Sequence, residues 1–270
     1  MKKVALVTGA SAGIGKETAK LLAISGYIVY GAARRIERMN DLLPAGIRLL
    51  KMDVTDDASM VEGVDEILKN EGRLDVLINN AGFGQYGAVE EVSMQDARYQ
   101  LEVNVIGLAR LAQLAIPVMR KQQSGKIVNI TSIGGKISSP LGAWYHASKF
   151  AVEALSDNMR MELKPFGIDV IVVEPGGIKT EWGDIAMQNL MKFSSKGPYK
   201  NTAEKMYAMT KKIENRVSEP SVIARLILKA IGSANPKTRY HAGFMATPIL
   251  MAKKILSDKQ FDKMMMSQVK

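Results

Sequence analysis

A chain of 270 residues, 47% hydrophobic and 24% charged, can bury a sizeable core, which excludes a fibrous or disordered polypeptide. It holds no cysteine and only two histidines, His146 and His241, so disulfides are ruled out and a structural zinc site would lack its usual ligands. The formal net charge of +10 reads as a basic surface, and no recognition helix or RNA-binding aromatic motif makes nucleic acid an expected partner.

The chain opens with Met1-Lys2-Lys3 before Val4-Ala5-Leu6-Val7, but that apolar run ends at Thr8-Gly9, too soon for a secretion signal or a membrane span. A cytoplasmic location is the expectation. Further apolar, β-branched runs follow at Tyr27 to Tyr30, Arg48 to Met52, Val76-Leu77-Ile78, Lys126 to Ile130 and Asp169 to Val173. Helical periodicity lies between them at 14–25, 58–71, 94–121 and 145–164, with Pro165 and Gly167 stopping the last. Strands alternating with helices predict an α/β fold, a Rossmann-type doubly wound parallel sheet in one domain spanning 1–270. From about 181 to 220 the alternation lapses into a methionine- and aromatic-rich stretch, read as a substrate loop or lid that is also compatible with a pair of packing helices. Residues from about 245 to 270 form a C-terminal extension, in which Ser257 and Gln260 have capping-box spacing. Its lysines and apolar residues fit a packed helix or a weak membrane-surface contact.

The first strand runs into Thr8-Gly9-Ala10-Ser11-Ala12-Gly13-Ile14-Gly15 and then a helix. Glycines there let backbone approach a pyrophosphate, whose charge the free N–H groups and the helix dipole stabilise. Gly9, Ser11, Gly13, Ile14 and Gly15 are therefore candidate cofactor contacts. A P-loop is excluded, because Gly15-Lys16 is followed by Glu17 rather than Ser or Thr. The second strand ends in Ala33-Arg34-Arg35, with no carboxylate to grip the ribose hydroxyls of NAD. Arg34, supported by Arg35, suits a 2′-phosphate, so NADP(H) is expected in preference to NAD(H). Tyr145 and Lys149 lie four apart in a helical stretch and share a face. A free phenol titrates near pH 10, and lowering that by about two to three units requires roughly 3–4 kcal/mol, which an ammonium and an oxidised nicotinamide could supply. Tyr145 is the expected general acid or base.

The spacing Gly9-x3-Gly13-x-Gly15 after Thr8 resembles the short-chain dehydrogenase/reductase family, and further motifs agree in order. They are Asp53-Val54, Asn79-Asn80-Ala81-Gly82, Asn104 within Val103-Asn104-Val105, Ser132, Tyr145-x3-Lys149 and Pro175-Gly176, together covering roughly residues 4 to 180. Gly82-Phe83-Gly84 and Ala32-Ala33-Arg34-Arg35 are similar to the 17β-hydroxysteroid dehydrogenase-like branch. The resemblance implies that Asp53 and Val54 meet the adenine, that Asn79, Ala81 and Gly82 line the adenosine and ribose path, and that Ile178 and Thr180, after Pro175 and Gly176, lie near the nicotinamide amide. It also implies that Ser132 hydrogen-bonds the substrate oxygen, that Lys149 holds the nicotinamide ribose, and that Asn104 positions a relay water. The implied reaction interconverts an alcohol and a ketone or aldehyde, with hydride passing between the nicotinamide and the carbonyl carbon. The implied assembly is a homodimer or homotetramer.

Tyr207 and Lys211 repeat the spacing, and Ser194 precedes Tyr207 by the same interval as Ser132 precedes Tyr145. Context decides between them: Ser132 follows a strand, at the end where ligands bind, and Ser194 does not. His146 faces away from Tyr145's side of the helix and is read as structural, while Glu153, Asp157 and Glu162 are read as solvated or subunit-facing. The methionines point to an apolar substrate. The alternative class is an NADP(H)-binding regulatory protein without turnover, against which the set Asn104, Ser132, Tyr145 and Lys149 argues.

Overall fold

Apolar runs become parallel strands when helices cover both faces of the sheet. In the computed structural model, which describes residues 1–269, these strands are β1 (Val4–Thr8), β2 (Ile28–Ala33), β3 (Arg48–Lys51), β4 (Val76–Asn79), β5 (Gly125–Ile130), β6 (Ile168–Pro175) and β7 (Arg239–Ala242). They form one sheet in the order β3-β2-β1-β4-β5-β6-β7, with every neighbouring pair parallel. The helices are α1 (Gly13–Ile24), α2 (Asp57–Glu71), α3 (Met94–Leu101), α4 (Gly107–Gln122), α5 (Ala143–Leu163), α6 (Glu181–Ser194), α7 (Lys200–Ile213), α8 (Ser221–Gly232), α9 (Ala246–Ile255) and α10 (Asp258–Ser267). This is a Rossmann-type doubly wound sheet.

Alternate residues of each strand feed two cores. Leu6, Leu77 and Ile127 pack on one face with Ile67 of α2, Leu111 of α4 and Leu163 of α5. Val7, Ile78 and Val128 pack on the other with Leu22 of α1 and Ile227 of α8. The winding reverses between β1 and β4, and such a reversal opens a crevice at the carboxyl ends of the strands.

The helical pattern over 94–121 forms a continuous run from α3 to α4, but its pitch widens into a π turn at Glu102–Ile106, which carries Asn104. Met94–Gln122 is long and apolar enough to cross a membrane by length and composition alone. Here Leu111, Ala112, Ala115 and Met119 are buried against the sheet. The irregular stretch after Thr180 consists chiefly of α6 and α7. Strand β7 gave no sequence signal, because Arg239-Tyr240-His241-Ala242 is short, polar and only partly buried at the sheet edge. The capping box at Ser257 and Gln260 forms and starts α10, whose Phe261 is buried.

Candidate active site

The site begins with the turn after β1. Gly9 and Gly13 have φ values of +67° and +53°, and a Cβ on Gly15 would collide with the Gly9 carbonyl, so this turn requires glycine. Ala12 caps α1 without a side-chain hydrogen bond, which leaves the first backbone N–H groups of a 12-residue helix available to an anion. Asn80 fixes the floor, donating from Nδ2 to the Thr8 carbonyl at 2.9 Å. A groove of about 690 Å³ is lined by Ser11, Gly13, Lys16, Arg38, Thr180 and Glu181. The Thr180 methyl lies so close to Gly13 that a Cβ there would come within 2.8 Å of it.

Arg34 and Arg35 are exposed at the carboxyl end of β2, where a 2′-phosphate would need them. Arg34 donates to the Tyr99 hydroxyl on α3 at 2.7 Å. Arg38, in the 3₁₀ turn beyond, makes a two-pronged pair with Glu181 at 2.8 and 3.0 Å. Asp53 accepts from the backbone and hydroxyl of Thr55 at 2.9 and 2.8 Å, and Val54 is buried beside it. Asn79 points its amide inward. Its side chain is engaged inside the protein, donating to Asn129 Oδ1 at 3.0 Å and to the Leu108 carbonyl at 3.4 Å, so it ties β4 to β5 and α4. Ile178 is partly buried, packed against the core beside Gly243.

The proposed reacting groups converge at the end of β5 and the start of α5. Ser132 has extended backbone, accepts from Gly134 N at 3.0 Å and donates to the Pro175 carbonyl at 3.4 Å. Tyr145 and Lys149 are both buried on α5, and the Lys149 ammonium donates to the Ile130 carbonyl at 2.9 Å. Asn104 donates to the Phe83 carbonyl and to Ser148 Oγ, each at 3.0 Å. A Cβ on Gly82 would lie 3.1 Å from Asn104 Oδ1 and 3.8 Å from Lys149 Nζ, so this glycine leaves open the space between them.

Burial, partly offset by the Ser132 hydroxyl, pushes the Tyr145 phenol up to about 12. It also drives the Lys149 ammonium down to about 8, against the opposing charge of Glu153. In the cofactor-free protein, loss of water therefore sets both groups, favouring the neutral phenol and the neutral amine. Neutral His146 explains its own role. Nε2 accepts from Ser139 N at 3.1 Å, which leaves Nδ1 to donate to the Gly134 carbonyl at 2.9 Å, and burial keeps its pKa low. It braces the loop after Ser132.

Two aromatic neighbours belong to no motif. Tyr86 stacks on Tyr145 at 5.6 Å, and Trp182, in the first turn of α6, lies 4.9 Å from it. Met187, Leu190, Met206 and Val269 complete an apolar cluster around these rings. The repeated motif is scattered by contrast. Tyr207 is 37% exposed, Lys211 pairs with Asp184 at 3.1 Å, and Ser194 is buried, accepting from Ala88 N at 2.9 Å. Glu153 is also not solvated: it is 4% exposed behind the Ser132 turn.

The model of the short chain dehydrogenase family matches residues 3–191. The chain is 36% identical over 243 residues to a 3-ketodihydrosphingosine reductase of Bacteroides thetaiotaomicron, covering 89% of this chain and 88% of that protein. It is 31% identical over 283 residues to an NADPH-dependent 3-dehydrocapnine reductase of Ornithobacterium rhinotracheale, covering 99% and 98%. A short-chain dehydrogenase structure from Streptomyces avermitilis superposes with a TM-score of 0.81 at 35% identity, covering 93% of this chain and 91% of that one. Matching sequence, sheet order and motif placement place this chain in the short-chain dehydrogenase family.

Proposed function

We propose that the protein is an NADP(H)-dependent reductase of an apolar ketone or aldehyde, with Tyr145 as the proton donor. The observation that carries this reading is the buried Tyr145, raised to about 12 beside Ser132 and walled by Tyr86 and Trp182. A phenol held in its protonated form suits proton delivery to a carbonyl oxygen as that oxygen gains negative charge. Ser132 orients the same oxygen. Lys149 contributes an ammonium and holds the nicotinamide ribose, while Asn104 shapes the path by which Tyr145 regains its proton. When bound, the nicotinamide supplies the hydride.

The glycine turn and uncapped helix fit a pyrophosphate, and Arg34, Arg35 and Arg38 give the phosphorylated adenosine a cationic setting. Both relatives named above are called reductases, one of them NADPH-dependent, which supports this direction and cofactor. The aromatic and methionine wall supports an apolar substrate.

The test compares wild type with Tyr145→Phe on NADPH and a panel of ketones and aldehydes, following NADPH absorbance. Turnover should fall at least about a hundredfold in the variant, with NADPH affinity retained. Equal turnover by both proteins would overturn the assignment of Tyr145. NADPH binding without turnover in the wild type would favour a regulatory cofactor-binding role.

A further inference from the structure

Tyr145, Lys149 and Glu153 follow one another at four-residue intervals along the buried face of α5. The first two belong to the proposed reaction, and the third is a buried carboxylate which that reaction leaves unused. Its partners are specific. Thr131, the residue before Ser132, donates its hydroxyl to Glu153 Oε1 at 2.7 Å. Lys136, just beyond the turn that follows Ser132, reaches Oε2 at 2.7 Å. Arg239 Nε, from β7, donates to Oε2 at 2.9 Å. The turn itself passes close by: a Cβ on Gly135 would meet Glu153 Cγ at 3.0 Å and the Lys149 carbonyl carbon at 3.3 Å. One carboxylate thus grips the Ser132 turn at both ends and fastens it to α5.

We infer that Glu153 is a positioning residue, which holds the Ser132 turn against α5 and sets a negative charge one helical turn behind Lys149. The inference rests on the proposed roles of Ser132 and Lys149. Glu153 meets Thr131, Arg239 and Lys136 and lies against the Glu174 carboxyl, and none of these is a reacting group. Charged groups of both signs surround it. Lys149 lies ahead of it on α5, and Asp157 lies behind, accepting from Arg239 Nη2 at 2.7 Å through each oxygen and paired also with Arg160. Lys136 approaches from the turn and Arg239 from β7. Glu174, on β6, is 3% exposed, with Oε1 3.6 Å from Arg239 Nε and 4.0 Å from Lys136 Nζ. A buried carboxylate opposes the loss of charge on a buried ammonium nearby, and Glu153 acts on Lys149 in that sense.

The decisive variant is Glu153→Gln, which keeps the shape and removes the charge. Lys149 is titrated in cofactor-free protein carrying ¹³C at the lysine ε-carbon, its resonance assigned with Lys149→Arg. The midpoint should fall by about one pH unit in Glu153→Gln. In carbonyl reduction, kcat should fall roughly tenfold or more, as expected when a reacting hydroxyl is displaced. Thr131→Val cuts a tether without touching the charge, so kcat should fall while the Lys149 midpoint stays in place. If Glu153→Gln does not fold, Lys136→Met releases the other tether from a partly exposed position and should lower kcat at unchanged NADPH affinity. An unmoved Lys149 midpoint, with kcat within about twofold of wild type in these variants, would overturn the inference. The titration needs no turnover, so it judges Glu153 even if Tyr145→Phe disproves the reading of the site.

Discussion

Lys149 should destabilise the fold it serves. The residue is 7% exposed, and its ammonium is driven from an ordinary 10.5 down to about 8, chiefly by burial. The folded protein therefore holds this proton less tightly than the unfolded chain does. Between the two values the unfolded state binds more protons, so stability rises with pH across that window. From pH 7 to pH 10 the rise from this group is about 2.5 kcal/mol, at about 1.4 kcal/mol per unit. Lys149→Met keeps a straight chain and removes the titration. It also strands the Ile130 carbonyl that Lys149 now satisfies at 2.9 Å, which costs about 1–2 kcal/mol at every pH.

Urea unfolding of cofactor-free protein at pH 7, 8, 9 and 10 separates these effects. The wild type should gain about 2.5 kcal/mol over that range relative to Lys149→Met, whose carbonyl penalty stays constant. The variant should also lose carbonyl reduction by at least about a hundredfold at pH 7, because the ammonium proposed to orient the ribose is gone. Parallel pH dependences for the two proteins would refute the reasoning, since they would mean that Lys149 titrates alike folded and unfolded.

Burial, followed by the charge of Glu153, raises Glu174 from 4.5 to about 7, so its contribution is fully present below pH 4.5 and is lost as pH rises through 7. Glu174→Gln should remove a decline of about 3 kcal/mol over that window, read by urea unfolding at pH 4.5 and 8. Arg34→Ala should raise KM for NADPH about tenfold or more, with KM for NADH unchanged. Tyr99→Phe, which loses the hydroxyl that holds Arg34, should show a smaller shift of the same kind in initial-rate measurements. Trp182→Ala should open the wall beside Tyr145 and raise kcat/KM for bulky ketones relative to small ones, measured across a graded substrate series.

The strands and the glycine turn were legible because both follow from local rules. A strand buried on both faces must be apolar throughout, and a turn crowded by its own carbonyl must be glycine. The spacing of Tyr145 and Lys149 carries meaning only with its context, since Tyr207 and Lys211 repeat it on α7, where Lys211 answers to Asp184 and Glu214 instead. The residues that escaped are joined by long-range contacts. Trp182 meets Tyr145 only because α6 folds back over the sheet, and Arg38 finds Glu181 143 positions along the chain. Asn79 shows what a motif alone does not reveal: its amide also ties β4 to β5.

Glu153 joins these two kinds of residue. Its place on α5 was visible from the four-residue period, yet its acidity made it look solvated, because carboxylates are rarely buried without partners. Here the partners come from three other places, Thr131 beyond β5, Lys136 after the serine turn and Arg239 on β7, and no periodicity could have forecast that convergence. Their arrangement also explains why the polar edge strand β7 is worth its exposure: Arg239 brings a positive charge to a site that already holds Glu153 and Glu174. The same dry environment favours a protonated tyrosine and opposes a charged lysine. Burial alone keeps the proton on Tyr145 but strips it from Lys149. A carboxylate one turn further along the helix corrects the second without disturbing the first, since it lies nearer the lysine than the phenol in sequence and on the helical face.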